Sequence, residues 1–407
     1  MKNLLVVCLI VSLFSCTPEQ ITLKVGEWRG TIEAQDRENI PFLFEVHPEG
    51  RLTVKNASER ILVDEITIYG DSIKIQMPVY EGYFLGRFRE NATTITGDFI
   101  KPSLKRIVPF TMTYGENQAR FIGNDKNPGT ETASGKWETV FSPDTPDDRY
   151  EAIGIFEQEG TKVTGTFRTT TGDYRFLEGS RNGDELRLST FDGAHAFLFT
   201  AIIKGDSLEG VFYSGDHWRE PFRAKRNSKY ELPEANDLTY IKDGYDGISF
   251  SFPEASGKVI SLADDRFKNK VVLIQILGSW CPNCLEETKF YVDYLKKYPN
   301  DDLEIVGLAF EYAPTQEKAF GSIQRLKDRL EVPYPILLAQ YGSEDKKLAN
   351  EKLPMLNHVL SYPTSIYIDK KGAVRRIHTG FNGKATGEKF IEFEKEFKTF
   401  LQELLSE

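Results

Sequence analysis

Residues 280–284 read Trp280-Cys281-Pro282-Asn283-Cys284, and they follow shortly after the apolar run Val271-Val272-Leu273-Ile274-Gln275-Ile276-Leu277. The run has the length and composition of a buried strand, and Pro282 suits the first turn of a helix because no N–H is needed there. A helix N-terminus carries unpaired amides and a partial positive charge, and both stabilise a thiolate. The pattern therefore predicts an accessible, ionised sulfur at Cys281 and a second sulfur at Cys284 within reach to close a disulfide. Such a pair at a helix start is suited to thiol–disulfide exchange.

The first sixteen residues hold the two remaining cysteines, Cys8 and Cys16. Met1-Lys2-Asn3 is a short basic start, and the apolar run over residues 4–14 is shorter than the roughly 20 residues that span a membrane. This is the layout of a secretion signal. The stretch Leu13-Phe14-Ser15-Cys16 resembles the lipobox of bacterial lipoproteins.

The lipobox resemblance implies that a signal peptide over residues 1–15 is removed and that Cys16 carries lipid. Residues 16–25 would then form a tether, and several acyl chains would hold the protein firmly at a membrane surface. The resemblance also implies a location in the cell envelope of a bacterium, facing the periplasm or lying on the outer surface. The alternative is an ordinary signal peptide, or an uncleaved anchor, that contains an incidental cysteine.

The exported chain keeps a single cysteine pair besides Cys16. A disulfide across so short a loop restrains the unfolded chain little, so a purely structural role for the pair is disfavoured. A zinc site is disfavoured as well, because a second cysteine pair is missing and the histidines show no ligand-like spacing. The five histidines are His47, His195, His217, His358 and His378. We therefore expect no metal and no organic cofactor.

The chain of 407 residues is too long for one ordinary core, so two or three domains are expected. It contains 51 Lys and Arg against 61 Asp and Glu, which gives a formal net charge of −10. A net acidic chain argues against nucleic acid as a partner and offers no basic patch for anionic lipid. Near residue 230 the sequence changes from glycine-punctuated strands to strands that alternate with amphipathic helices. The polar residues 227–246, which include Pro233 and Gly244, are predicted to be the linker.

The region before the linker repeats itself. Gly26-Glu27-Trp28 recurs as Gly135-Lys136-Trp137, at an offset of 109 residues, and three further landmarks recur in order at nearly the same spacing. This indicates a duplicated unit of roughly 110 residues, with copies over residues 26–125 and 133–226. Each copy contains about eight short alternating runs joined by glycine turns, which predicts an antiparallel sandwich or an up-and-down barrel. The Gly-x-Trp opening is weakly similar to the avidin and lipocalin calycins.

Calycin-like barrels often hold small apolar ligands, so a binding role is one interpretation of this region. The other interpretation is that its aromatic residues fill their own cores, as inward aromatics do in small barrels. The residues concerned are Trp28, Phe42, Phe44, Trp137, Phe197 and Phe199. Trp218, which follows His217 in a turn, is expected to be exposed.

The C-terminal region carries a series of motifs in a fixed order. They lie at residues 248–253, 257–262, 270–273, 280–284 and 361–369. In this order and spacing, residues 247–407 resemble the thioredoxin superfamily, and most closely the membrane-tethered TlpA- and ResA-like disulfide reductases. The resemblance implies an α/β fold, which the alternation of strands and helices also predicts. We therefore predict a multidomain chain, a duplicated all-β region followed by an α/β thioredoxin-like fold.

Tyr362-Pro363-Thr364 matches the cis-proline position of this superfamily. The resemblance implies a cis Tyr362–Pro363 peptide bond in a turn beside the disulfide, and such bonds are reserved for tight turns. The backbone before Pro363 would be free to pair with an extended substrate segment, and Trp280 and Tyr362 would line the same groove. A trans proline at the start of a strand is the alternative.

Glu287 lies three residues after Cys284, one turn along the same predicted helix, and it matches an acidic position of the ResA-like branch. There it would raise the pKa values of the thiols and relay a proton for the buried cysteine. A solvated helix residue beside Glu286 is the alternative. Gln275 stands where ordinary thioredoxins carry a buried aspartate, and this departure favours Glu287 as the proton carrier.

The resemblance implies a two-step exchange, in which Cys281 attacks a disulfide of a protein substrate and Cys284 resolves the mixed disulfide. It favours the reducing direction, with a membrane partner that supplies electrons. A thiol peroxidase is a disfavoured alternative, because peroxiredoxins need Pro-x-x-x-Thr/Ser-x-x-Cys, and Cys281 follows Leu277-Gly278-Ser279-Trp280. The other alternative is an envelope lipoprotein that binds a ligand or partner and whose redox domain is accessory.

Overall fold

The computed structural model describes residues 21–115, 119–123 and 127–407. The predicted signal peptide over residues 1–15 and the predicted lipid on Cys16 lie outside the described residues. None of the helices described is both long and apolar enough to cross a bilayer. The described chain is mostly β structure, with two antiparallel regions that precede an α/β region.

The first β region is one nine-stranded antiparallel sheet. Its strands are β1 (Gly26–Glu33), β2 (Asn39–Val46), β3 (Leu52–Asn56), β4 (Glu59–Val63), β5 (Glu65–Tyr69), β6 (Ser72–Gln76), β7 (Tyr83–Arg89), β8 (Thr94–Lys101) and β9 (Arg106–Tyr114). The order in the sheet is β4-β3-β2-β1-β9-β8-β7-β6-β5, so its two end strands are consecutive in the chain. Asp64 alone separates β4 from β5, and these two strands are the halves of one bent strand. The region is therefore an up-and-down barrel whose two end strands meet at this bend without pairing with each other.

The second β region repeats this architecture. Its strands are β10 (Gly135–Phe141), β11 (Tyr150–Glu159), β12 (Lys162–Thr169), β13 (Gly172–Asp173), β14 (Leu177–Asn182), β15 (Glu185–Phe191), β16 (Ala196–Lys204), β17 (Ser207–Ser214) and β18 (Trp218–Arg226). The order is β11-β10-β18-β17-β16-β15-β14-β12-β13, and β11 also pairs with β12. That extra pairing closes a ring of eight strands, and the two-residue β13 pairs with β12 beside the ring. Of the two predicted architectures, the barrel is correct for both copies.

Aromatic side chains fill both barrels. Trp28 and Trp137 occupy equivalent places and are completely buried. Each indole N–H donates to the carbonyl oxygen four residues earlier, at 2.8 Å from Trp28 to Lys24 and at 2.9 Å from Trp137 to Ala133. Burial is also nearly complete for the other aromatic residues singled out above, Phe42, Phe44, Phe197 and Phe199. The interpretation that these residues form the barrel cores is confirmed, and Trp218 is exposed as expected.

A buried amide joins the two barrels. Asn56, at the end of β3, is completely buried; its Nδ2 donates to the Phe191 carbonyl at 2.9 Å, and its Oδ1 accepts from the Phe191 amide at 3.3 Å. The ring of Phe191 packs in the core of the first barrel, where its centroid lies 4.7 Å from that of Phe42. The end of β15 is therefore held against the first barrel by polar and apolar contacts together.

The α/β region has the thioredoxin-like fold that the motifs predict. Its elements are β19 (Ser251–Pro253), β20 (Val259–Ser261), β21 (Val271–Leu277), α1 (Pro282–Lys297), β22 (Leu303–Phe310), α2 (Gln316–Leu330), β23 (Ile336–Gln340), α3 (Lys346–Lys352), β24 (Thr364–Ile368), β25 (Val374–Thr379) and α4 (Glu388–Ser406). The sheet order is β23-β22-β21-β24-β25, with β21 parallel to β22 and antiparallel to β24. Every residue of β21 is buried, because this strand lies at the centre of the sheet.

The α/β region also contacts the first barrel where the barrel bends. Arg329 of α2 pairs with Asp64 at 2.9 Å, and Arg325 of the same helix pairs with Glu65 at 2.6 Å. Residues 227–246 do not run free between the parts: the Ala235 carbonyl accepts from Thr379. All three parts of the chain are therefore in contact.

We expect Asn56→Ala to destabilise the fold. The substitution leaves the amide and the carbonyl of Phe191 buried without partners, and each such group costs about 1–3 kcal/mol. The free energy of unfolding should fall by about 2–4 kcal/mol, measured by urea denaturation and tryptophan fluorescence. Asn39→Ala, at an exposed position of β2, is the matched control. Its free energy of unfolding should stay within about 0.5 kcal/mol of the parent value. Equal stability of the two variants would contradict the role given to Asn56.

Candidate active site

The cysteine pair lies where β21 delivers the chain to α1. Cys281 is the residue before the first turn of α1, and Pro282 occupies that turn. The backbone amide of Cys284 donates to Sγ of Cys281 at 3.1 Å, and the two sulfurs are joined as a disulfide. This amide and the other unpaired amides at the helix start point toward the sulfur that the sequence predicts to be the attacking thiolate.

The expectation that Cys281 is accessible is wrong for this oxidised structure. Only 6% of the Cys281 surface is exposed, and Cys284 is completely buried. The carbonyl oxygen of Tyr362 lies 3.4 Å from Sγ of Cys281, so the chain around the proline covers one side of the sulfur. A segment of the second barrel packs on neighbouring residues, and this is a contact that the sequence does not reveal.

The Tyr362–Pro363 peptide bond is cis, as the resemblance implies, and it precedes β24. The ring of Tyr362 meets that of Trp280 edge to face, with 5.6 Å between centroids, and it lies 5.7 Å from the ring of Phe310. The indole N–H of Trp280 donates to the Phe310 carbonyl at 2.9 Å, which fixes the orientation of the indole. Trp280, Tyr362 and Pro363 therefore form one wall beside the disulfide.

Glu287 is completely buried in α1, so it is not a solvated helix residue. Its Oε2 accepts from Nε2 of Gln275 at 2.8 Å, and its Oε1 accepts from the Ser365 hydroxyl at 3.0 Å. Gln275 Nε2 also lies 3.5 Å from the Cys284 carbonyl oxygen, which connects this group to the cysteine pair. Burial raises the pKa of Glu287 to about 7, although the hydrogen bonds from Gln275 and Ser365 act in the opposite direction.

A second buried carboxyl group, that of Glu311, was not predicted. It accepts from the amide of Ser279 at 2.8 Å and from the Ser279 hydroxyl at 2.7 Å, two residues before Cys281. Burial raises the pKa of Glu311 to about 7. The sequence did contain a signal for Glu311, which is a charged residue directly after the apolar strand β22. The ends of neighbouring parallel strands meet at one edge of a sheet, so a residue there can lie close to the end of β21. Glu311 holds the turn that leads into the cysteine pair.

The structure brings together six of the residues predicted for the site, Trp280, Cys281, Cys284, Glu287, Tyr362 and Pro363. Cys16, the seventh, lies outside the described residues. Within the described ranges, the His, Cys, Asp and Glu side chains form no group of three or more that could hold a metal ion.

Comparison with known proteins identifies similar chains. The Redoxin family model matches residues 242–391. The thioredoxin-like protein YneN of Bacillus subtilis is 30% identical over 154 residues, which are 38% of this chain and 81% of that protein. The thiol-disulfide oxidoreductase ResA of Bacillus thuringiensis is 28% identical over 152 residues, 37% of this chain and 76% of that protein. A solved thioredoxin-family thiol:disulfide interchange protein of Chlorobium tepidum covers 38% of this chain and 98% of its own, at 22% identity and a TM-score of 0.27.

The buried carboxyl of Glu287 should make stability depend on pH. Its pKa is raised from 4.5 to about 7, so between these values the folded protein binds a proton that the unfolded chain has lost. The contribution to stability is therefore full at low pH and is lost as the pH rises toward 7. Glu287→Gln should make the free energy of unfolding fall less steeply between about pH 5 and 7, by up to about 1.4 kcal/mol per pH unit.

The measurement is urea unfolding at a series of pH values. Asp293→Asn, at an exposed position of the same helix, is the control and should keep the parent slope. If Glu287→Gln and the parent gave parallel curves, Glu287 would titrate in the folded protein as it does in the unfolded chain.

Proposed function

The chain belongs to the Redoxin family of thioredoxin-like thiol-disulfide oxidoreductases, and we propose that it reduces disulfides of proteins in the bacterial cell envelope. The observation that supports this most directly is the Cys281–Cys284 pair at the start of α1, with the Cys284 amide 3.1 Å from Sγ of Cys281. A partial positive charge and a directed N–H donor stabilise the thiolate form of Cys281 once the pair is reduced.

In the proposed reaction, the Cys281 thiolate attacks one sulfur of a substrate disulfide. A Cys281–substrate disulfide forms, the substrate S–S bond breaks, and the other substrate sulfur leaves as a thiolate that takes up a proton. Cys284 then loses its proton and attacks Sγ of Cys281, which releases the second substrate thiol. The substrate gains two electrons and two protons, and Cys281 and Cys284 are left as the disulfide. A membrane partner that donates electrons would return the pair to the dithiol.

Glu287 is proposed to accept the proton of Cys284. Cys284 is completely buried, so water has no direct access to its thiol, and Glu287 lies one turn along the same helix. A carboxyl group whose pKa is about 7 is matched to proton transfer near neutral pH. Gln275 and Ser365, which both donate to this carboxyl, would hold it in place.

The rival functions find less support. Both barrel interiors are filled by their own aromatic side chains, and this weakens the case for an apolar ligand inside either barrel. The residues before Cys281 lack the proline and hydroxyl pattern that a peroxidase needs. Trp280, Tyr362 and Pro363 form a wall that is suited to an extended polypeptide, which favours a protein as the disulfide substrate.

Cys281→Ser should abolish reduction of insulin disulfides, because the substitution removes the nucleophile. Turbidity of insulin with dithiothreitol as the electron source measures this, and hydrogen peroxide consumption in the same preparations should be negligible. Cys284→Ser should instead accumulate mixed disulfides, which non-reducing gels and mass spectrometry of envelope extracts would identify. Insulin reduction by Cys281→Ser at the parent rate would overturn the proposal, and peroxide turnover lost in Cys281→Ser would support a peroxidase.

We further propose that Cys16 carries lipid and anchors the protein in the envelope. Cys16→Ser should move the protein from the membrane fraction to the soluble periplasmic fraction, because the variant lacks acyl chains. Cys8→Ser, within the predicted signal, is the control and should leave the protein membrane-bound. A parent protein whose intact mass includes residues 1–15 and no acyl chains would show an uncleaved anchor instead.

A further inference from the structure

A turn of the second barrel lies on the redox site. Residues 169–173 comprise the last residue of β12, the two-residue turn after it and the whole of β13, and we name them the covering turn. The Ser361 hydroxyl donates to the Thr171 carbonyl at 2.9 Å, and Nδ2 of Asn283 donates to the Asp173 carbonyl at 3.2 Å. Ser361 precedes the cis peptide bond and Asn283 lies between the two cysteines, so the covering turn contacts both segments that surround Cys281.

One side of the covering turn packs closely against the redox domain. A Cβ atom on Gly172 would lie 2.2 Å from Nδ2 of Asn283, and one on Gly380 would lie 2.8 Å from the carbonyl carbon of Thr171. The amide of Gly380 donates to the Pro363 carbonyl at 2.9 Å, so Gly380 lies beside the cis-proline turn. The two backbones therefore touch, and a substrate strand cannot pass between them while the turn is in place.

Two charged side chains hold the covering turn in this position. Arg175, two residues beyond it, is buried and pairs with Glu286 of α1 at 2.8 Å and with Glu59 of the first barrel. Oδ2 of Asp173 accepts from the amide of Gly383 at 2.6 Å, and its Oδ1 accepts from the amide of Arg175 at 2.7 Å. These contacts connect the turn to both of the other parts of the chain.

Two buried polar atoms of residues close to the cysteine pair have no hydrogen-bond partner in the described chain. The hydroxyl of Tyr362 and Oδ1 of Asn283 are buried, and neither has a hydrogen-bond partner among the described residues. Buried polar groups are nearly always paired in folded proteins, so these two are suited to a partner that is not part of this chain. The main chain of an extended peptide offers the N–H and C=O groups that would pair with them.

A cavity of about 740 Å³ adjoins the covering turn. Its walls come from all three parts of the chain, and they include Tyr80, Arg106, His195, Trp218, Trp280 and Asn283. The covering turn forms one wall, so movement of the turn would join the cavity to the groove beside Cys281. The cavity gives a polypeptide segment a route to the disulfide.

We propose that the covering turn occupies the place of the substrate main chain, and that an extended, disulfide-bearing polypeptide segment binds by displacing it. The inference rests on the proposed function and adds the form of the substrate and the contact that controls its entry. The resting protein then keeps Cys281 covered, and a small or rigid disulfide that cannot replace the contacts of the turn is a poor substrate.

Gly172→Leu tests this, because a Cβ at residue 172 would lie 2.2 Å from Nδ2 of Asn283 and 3.2 Å from the Phe381 carbonyl oxygen. Either the covering turn moves, or the Asn283 amide rotates away and gives up its hydrogen bond to Asp173, and both changes loosen the turn. We expect iodoacetamide to alkylate Cys281 of the reduced, full-length variant about ten-fold faster than in the parent, as quantified by mass spectrometry of the Cys281 peptide. Gly160→Leu is the matched control, since Gly160 lies in the next hairpin turn at φ +59° with no atom within 4 Å of a Cβ there. Equal alkylation rates in folded Gly172→Leu, Gly160→Leu and parent protein would overturn the proposal.

A second measurement leaves the covering turn unchanged. Cys284→Ser protein is joined through Cys281 either to a cysteine peptide of about ten residues or to a methylthio group, and amide hydrogen exchange is compared. We expect the amides of residues 169–173 to exchange faster in the peptide adduct than in the methylthio adduct. Equal exchange in both adducts would show that the peptide binds without moving the turn. Alkylation and hydrogen exchange do not depend on turnover. The proposal about the covering turn can therefore fail in a protein that still reduces insulin, and it can hold in a protein that does not.

Discussion

Arg175 connects the three parts of this protein. Its buried guanidinium pairs with Glu59 of the first barrel and with Glu286 of α1, while its own backbone continues from the covering turn. Burial alone would lower the pKa of Arg175, but the charges of Glu286 and Glu59 raise it above the ordinary value. Removing one partner of such a group would leave an uncompensated buried charge. Arg175 is therefore one of the contacts that fix the relative positions of the barrels and the redox site, and it is the one that reaches all three parts.

Glu286 and Glu287 are neighbours in the sequence but serve different parts of the structure. Glu287 points into the α/β core, toward Gln275 and Ser365, and Glu286 points across the interface toward Arg175. Consecutive residues on a helix point in directions about 100° apart, so Glu286 and Glu287 cannot both point into the α/β core. The sequence could identify Glu287 as a candidate through the family resemblance, but the partner of Glu286 lies in another domain and has no sequence signal.

The local patterns predicted the fold well because each rests on short-range geometry. The apolar run of β21 and Pro282 determine the strand and the helix that position the cysteines, and the repeat of Gly-x-Trp determines the matching cores of the barrels. Glu311 was missed because its role depends on which strand lies next to β21. The low exposure of Cys281 was missed because it depends on long-range packing: the Tyr362 carbonyl lies against its sulfur, and a turn more than one hundred residues earlier packs on the neighbouring Asn283. Contacts between strands and between domains are not encoded in any periodicity of the chain, and that is where the predictions failed.

The bend at Asp64 has a consequence for biosynthesis. Within the described sheet, β4 hydrogen-bonds only to β3 and β5 only to β6, so both halves of the bent strand present a free edge. Free edges are templates for pairing with other chains. The arginines of α2 that pair with Asp64 and Glu65 follow more than 250 residues later, so a chain made from its N-terminus lacks these ion pairs until Arg329 has been added. A nascent or truncated β half is therefore the form of this protein that is most prone to aggregate.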